Sequence, residues 1–119
     1  WNDDEEPFKE QFDKLFMQIE NDKFAFVMGD FNNNANVENE GYDYICEKLF
    51  DTYNLSKNKD SGITVKGKIA GWDKNKENLR LDLILSNKEI KVESSNVIFN
   101  GINKNVVSDH YGVEVVVNI

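Results

Sequence analysis

The sequence predicts a mixed α/β (α+β) domain, mainly antiparallel sheet covered by helices, and three observations carry that expectation. Phe8, Phe12, Leu15, Phe16 and Ile19 recur at helical spacing. The run Phe24, Ala25, Phe26, Val27, Met28 is unbroken, apolar and of strand length. From Ser61 onwards the apolar period falls to two, with Gly, Asn and Lys turns between the runs.

Taken in order, Pro7 follows an acidic cluster and opens the first helix, whose first turn tolerates proline and welcomes negative charge. Asn21 and Asp22 end it. The run 24–28 then reads as a strand buried on both faces that stops at Gly29, with Asp30 and Asn32 just past its end. The asparagine-rich stretch 33–36 is irregular, a second helix runs from Glu40 or Gly41 towards Thr52, and a loop follows. Strands are expected at 63–65, 79–85, 90–92, 96–99 and 113–117, with one long lysine-rich connection marked by Gly67, Gly71 and Trp72. Cys46 falls in the apolar spacing Tyr42, Ile45, Cys46, Leu49, Tyr53 and is expected to be a small core residue.

A length of 119 residues suits one domain, and 39% apolar with 12% aromatic residues is enough for a modest core. The net charge is −8 and Arg80 is the sole arginine, so the basic stripe of a duplex-binding surface is missing and a nucleic-acid partner is not expected. One cysteine forms no internal disulfide, and no apolar run is long enough to span a bilayer. A cytoplasmic location is the expectation, with no membrane partner. The chain begins at Trp1 rather than methionine, so an upstream segment is expected.

Three acidic signatures lie at or within strand-like runs: Gly29-Asp30-Phe31-Asn32, Leu79-Arg80-Leu81-Asp82-Leu83-Ile84 and Ser108-Asp109-His110-Tyr111. A strand-borne carboxylate is expensive to desolvate without a cation or a base beside it. Asp30 and Asn32 are two apart, so both can project to one side while Phe31 turns to the core; an Asx turn explains the same pair. In the second signature the leucines face one way and Arg80, Asp82 and Ile84 the other, which suits a site wall or a surface Arg80–Asp82 ion pair. Asp82 can orient a histidine by accepting its second N–H. His110 is the sole histidine, and one His with one Cys excludes an ordinary four-ligand structural zinc site. Carboxylate and carboxamide oxygens suit Mg²⁺ or Mn²⁺ instead.

In this order and spacing, the three signatures resemble the endonuclease/exonuclease/phosphatase superfamily, the DNase I-like fold. Residues 1–119 then correspond to the C-terminal portion of a single domain, a four-layer αββα sandwich whose N-terminal half is absent. Within the superfamily, segments 1–8, 41–44, 62–73 and 107–110 are most similar to bacterial maltose 6'-phosphate phosphatases. The resemblance implies Asp109 as a metal ligand, Asp30 as the base for the attacking water or a ligand of a second metal, and Asn32 as the holder of a phosphate oxygen. It implies that Asp82 orients His110, which stabilises charge on the phosphoryl group. The family's N-terminal half supplies an asparagine, a metal-binding glutamate and a second histidine, roles that no residue here fills.

The expected activity is metal-dependent hydrolysis of a small phosphorylated sugar; a nuclease of the same superfamily and a non-catalytic interaction module are the alternatives. Trp72, Lys68 and Arg80 are candidate substrate contacts, Trp72 equally a loop anchor. The missing half-domain is the expected partner. Without it, one sheet face carrying Ile84, Val113 and Val115 is expected to lie open and to drive self-association, leaving the chain alone inactive.

Overall fold

A computed structural model describes residues 7–69 and 71–119; the acidic cluster 2–6 and most of the 1–8 segment lie outside the described residues. The first helix, α1, is Phe8–Ile19, with Pro7 in extended geometry as its N-cap. Phe8 and Phe12 are buried, and their rings stack at 6.3 Å. On the open side, Lys14 and Glu10 pair one turn apart. Asn87 ties the helix end to the strands, donating to the carbonyl of Asp22 and accepting from the amide of Ala25.

Strand β1 is Phe26–Asp30, so it starts two residues later than the apolar run suggests and takes in Gly29 and Asp30. It is not buried on both faces: Val27 packs on the helical core while Met28 is 64% exposed. The reason is its place at the edge of a three-stranded sheet with a helical layer on one side.

Helix α2 is only Gly41–Cys46, followed by β2, Phe50–Asp51, and a single helical turn α3, Thr52–Leu55. The expected long helix is cut because Asp51 is withdrawn as the cap of α3, its Oδ1 accepting the Tyr53 amide at 3.0 Å. Tyr42, Ile45 and Leu49 are buried as their spacing requires, but Cys46 is exposed rather than a core residue. Where a loop was expected, Ser56–Lys59 forms β3. Its polar sequence is that of an edge strand: Lys57, Asn58 and Lys59 stay in water while the backbone pairs parallel with a neighbour.

The remaining strands are β4, Val65–Lys66; β5, Asn78–Leu79; β6, Asp82–Ser86; β7, Lys91–Ile98; and β8, Gly112–Asn118. The runs expected at 90–92 and 96–99 are one strand, β7, with an irregularity between Val92 and Ser94. Hydrogen bonding divides the strands into a sheet β1-β6-β2, a sheet β3-β7-β8 and a ribbon β4-β5. All pairs are antiparallel except β3 with β7. Leu83 and Leu85 of β6 join Phe8, Phe12, Tyr42, Ile45 and Leu49 in the main core. Burying each large side chain contributes about 1.5–3 kcal/mol.

The run 79–85 is interrupted at Arg80 and Leu81, between β5 and β6. Backbone groups freed there must find partners elsewhere. The Leu81 carbonyl accepts from Phe31 at 3.0 Å and the Arg80 carbonyl from Ala35 at 3.1 Å. The Leu81 amide donates to Thr64 Oγ1 at 3.2 Å and the Arg80 amide to Asn34 Oδ1 at 3.4 Å. This break is therefore the knot that binds the loop after β1, the segment before β4 and the start of β6.

Candidate functional site

Antiparallel register places Asp30 of β1 directly opposite Asp82 of β6, and Met28 opposite Ile84. Side chains alternate across a strand, so the leucines of β6 point into the helical core and Asp82 to the other face. Two carboxylates facing each other across a ladder repel unless a positive charge joins them. An imidazole meets one of them: His110 Nδ1 lies 2.8 Å from Asp82 Oδ2, with both side chains half-buried. Since a carboxylate only accepts, Nδ1–H donates and Nε2 is left for another partner. One donor atom from each of Asp30, Asp82 and His110 fits within a 4.8 Å group.

Partial burial disfavours a charged imidazole, but the Asp82 hydrogen bond and the charges of Asp82, Asp30 and Asp109 outweigh it, so the His110 pKa is raised. The loop that delivers His110 is fixed at both sides. Its amide donates to Ser108 Oγ at 3.3 Å, and the Tyr111 amide donates to the Thr64 carbonyl at 2.8 Å.

Asp30 and Asn32 diverge from Phe31, whose ring packs on the main core. Asp30 Oδ1 accepts the Asn32 amide at 2.8 Å, and Asn32 has φ 51°, a left-handed conformation that asparagine tolerates well. The Asx turn and the cluster thus coexist: the turn holds one oxygen of Asp30 beside Asp82. Asp109 is exposed and stands outside the 4.8 Å group, because it precedes His110 in the bend and accepts from Ser108 Oγ at 3.2 Å.

Trp72 is 46% exposed on a tight turn closed by its amide to the Ile69 carbonyl at 3.0 Å. It lines a cleft of about 420 Å³ with Asn32, Asn34, Val37, Glu77 and Leu79, which connects it to the Asp30 loop. Lys68 is exposed on the same connection.

Arg80 requires a correction. It is buried at 5% exposure and pairs with Asp51 Oδ2 at 2.7 Å, not with Asp82, so it is a core residue rather than a substrate contact. Tyr42 Oη donates to the same oxygen at 2.6 Å and accepts from Arg80 at 3.1 Å and from Asn54 at 2.8 Å. The guanidinium lies over the Tyr53 ring at 4.4 Å. Burial and the Asp51 hydrogen bond push the Tyr42 pKa far up, keeping the phenol a donor. Asp51 and Thr64 were not singled out by sequence reasoning; each sits in an apolar-patterned run whose period shows burial but not the partner.

The carboxylate of Asp30 and the carboxamide of Asn32 on the same turn are oxygen donors of the kind that suits a hard divalent cation, beside the hydrogen-bonded Asp82–His110 pair.

No family model and no curated protein matches the chain. Solved structures do. An endonuclease/exonuclease/phosphatase family protein from Leptotrichia buccalis superposes with a TM-score of 0.80 at 44% identity, over 93% of this chain and 42% of its own. A conserved protein of unknown function from Enterococcus faecalis gives a TM-score of 0.69 at 20% identity, over 94% of this chain and 44% of its own. A mannosyl-6-phosphatase from Bacteroides thetaiotaomicron gives 0.63 at 19% identity, over 93% and 44%. The chain therefore spans less than half the length of each of these three structures. These two weaker likenesses show the fold alone. With 44% identity over nearly all of its own length, the chain shares the fold of, and is similar to, under half of an endonuclease/exonuclease/phosphatase family protein.

Proposed function

We propose that the protein containing this chain is a divalent-metal-dependent phosphoester hydrolase, and specifically a phosphatase of a small phosphorylated sugar such as maltose 6'-phosphate. The observation that carries the reading is the meeting of Asp30, Asp82 and His110 within 4.8 Å from three separate segments. In this reading Asp30 accepts the proton of the attacking water. Asn32 donates its carboxamide N–H to a non-bridging phosphate oxygen. Asp82 holds the imidazole, and His110 offers Nε2 to the phosphoryl oxygens as charge builds on them. Mg²⁺ or Mn²⁺, when bound, would neutralise part of that charge. Asp30 and Asn32 would hold the metal, with Asp109 as the further ligand that the resemblance assigns.

A sugar phosphate rather than a polynucleotide is supported by the net charge of −8 and by the Trp72 cleft beside Asn32, where an indole face can stack on a sugar ring and Lys68 lies on the same connection. We read residues 1–119 as the C-terminal portion of one domain, acting in the cytoplasm, whose upstream half supplies the remaining ligands. Among the described residues no helix is long and apolar enough to cross a membrane. The test is Mg²⁺-dependent phosphate release by the full-length protein from a panel of sugar phosphates, run beside a plasmid-nicking assay. Release from a sugar phosphate supports the proposal; nicking without any release replaces it with a nuclease, and silence in both assays with a binding module.

A further inference from the structure

Thr64 has no exposed surface, and its polar groups end on the segments that carry the site. Its Oγ1 accepts the amides of Leu81 and Asp82, each at 3.2 Å. Its carbonyl accepts the Tyr111 amide at 2.8 Å, and its own amide donates to Leu79 at 2.9 Å. One residue thus grips Asp82 itself on one side and the residue next to His110 on the other.

We propose that Thr64 is a positioning residue that sets the separation and angle between Asp82 and His110, a role resting on the reading of that pair as the phosphoryl site. The physical basis is the break between β5 and β6. Leu81 belongs to neither strand, so its amide has no ladder partner there and depends on the threonine hydroxyl. An oxygen that accepts two successive amides fixes the peptide plane between them, and that plane sets where the Asp82 side chain leaves the backbone. The carbonyl bond to Tyr111 involves no side chain, so removing the hydroxyl loosens one half of the grip and leaves the other. Asp82 would then shift relative to His110. A hydrogen bond of 2.8 Å is sensitive to such a shift in both length and angle.

Two substitutions separate the hydroxyl from the bulk. Thr64→Val keeps the branched shape and removes the acceptor; Thr64→Ser keeps the acceptor and removes a methyl. The readouts, on full-length protein, are the ¹⁵N shift of His110 Nδ1 without metal, and kcat and KM for Mg²⁺-dependent hydrolysis of p-nitrophenyl phosphate. T64V should move the Nδ1 shift towards that of an unpaired imidazole and lower kcat roughly 10- to 100-fold with KM little changed. T64S should retain the wild-type shift and most of the turnover. A folded T64V with the wild-type shift overturns the proposal, and equal losses in both variants overturn it in favour of packing. Should T64V fail to fold, amide exchange in the wild type decides: Leu81 and Asp82 should be as protected as the interior of β6, and exchange as fast as in exposed loops refutes the grip. If the wild type hydrolyses no phosphoester, the functional reading fails by itself, while the Nδ1 shift and amide exchange still judge Thr64.

Discussion

The carboxylate of Asp82 and the imidazole of His110, 28 residues apart in the chain, meet at 2.8 Å through Nδ1. The contact exists because β6 turns Asp82 away from its leucine face while the Ser108 bend presents His110 to it, with Asp30 opposite in register.

That arrangement makes His110 a stronger base than an ordinary histidine. Burial pulls its pKa down, but Asp82, Asp30 and Asp109 together pull it up further. In metal-free protein, NMR titration of its ring protons should give a midpoint above the usual value of about 6.5, and Asp82→Asn should lower it. A raised folded pKa contributes stability that is complete below the unfolded value and is lost as pH rises through the folded one. A midpoint below the ordinary range would refute the pairing.

In the full-length protein, Asp30→Asn and His110→Ala should each reduce turnover about 10²- to 10⁴-fold with unchanged circular dichroism. Both side chains lie outside the packed core, so folding should not depend on them. Near-normal kcat in either variant would reassign the roles.

Arg80→Met should behave differently, since it strands the carboxylate of Asp51 at 1% side-chain exposure. Breaking a buried pair from one side destabilises by about 3–5 kcal/mol. Urea denaturation should show that loss, and activity lost without any fall in stability would return Arg80 to the substrate site.

Gly62 has φ +70°, and a Cβ there would lie 2.6 Å from Arg80 Cδ and 2.8 Å from Tyr53 Cε2. Gly62→Ala should therefore cost more than about 1 kcal/mol, read in the same denaturation experiment. An unchanged midpoint would mean that the Arg80 and Tyr53 stack is looser than its geometry indicates.

Isolated residues 1–119 should bind Mg²⁺ at least about tenfold more weakly than the full-length protein in calorimetry, because a charged ligand contributed from elsewhere would be missing. They should also self-associate on sedimentation. Ile84, Val113 and Val115, expected to lie open, are half-buried, whereas Met28 and Val116 are 64% and 49% exposed. A monomer with tight Mg²⁺ binding would refute this expectation.

What the sequence determined by itself is what local pattern controls. Phe8, Phe12 and Phe16 needed only the helical period, and Leu83 and Leu85 only the period of two, to declare their buried faces. Asp30 and Asp82 stood out because acidic groups at or inside apolar strands are costly without a partner, and the structure brings these two together with His110. Strand β3 was not legible, since an edge strand paired through its backbone needs no apolar pattern, and Cys46 was misplaced because spacing cannot tell how far a short helix turns out of the core. The tertiary structure alone decided who pairs with whom. Arg80 and Asp82 are two apart on one segment, yet one is sealed against Asp51 and the other opens to His110, because the chain leaves its ladder between them. Register, strand breaks and the grip of Thr64 are set by packing across segments distant in sequence, and a one-dimensional pattern carries residue type and period but not those distances.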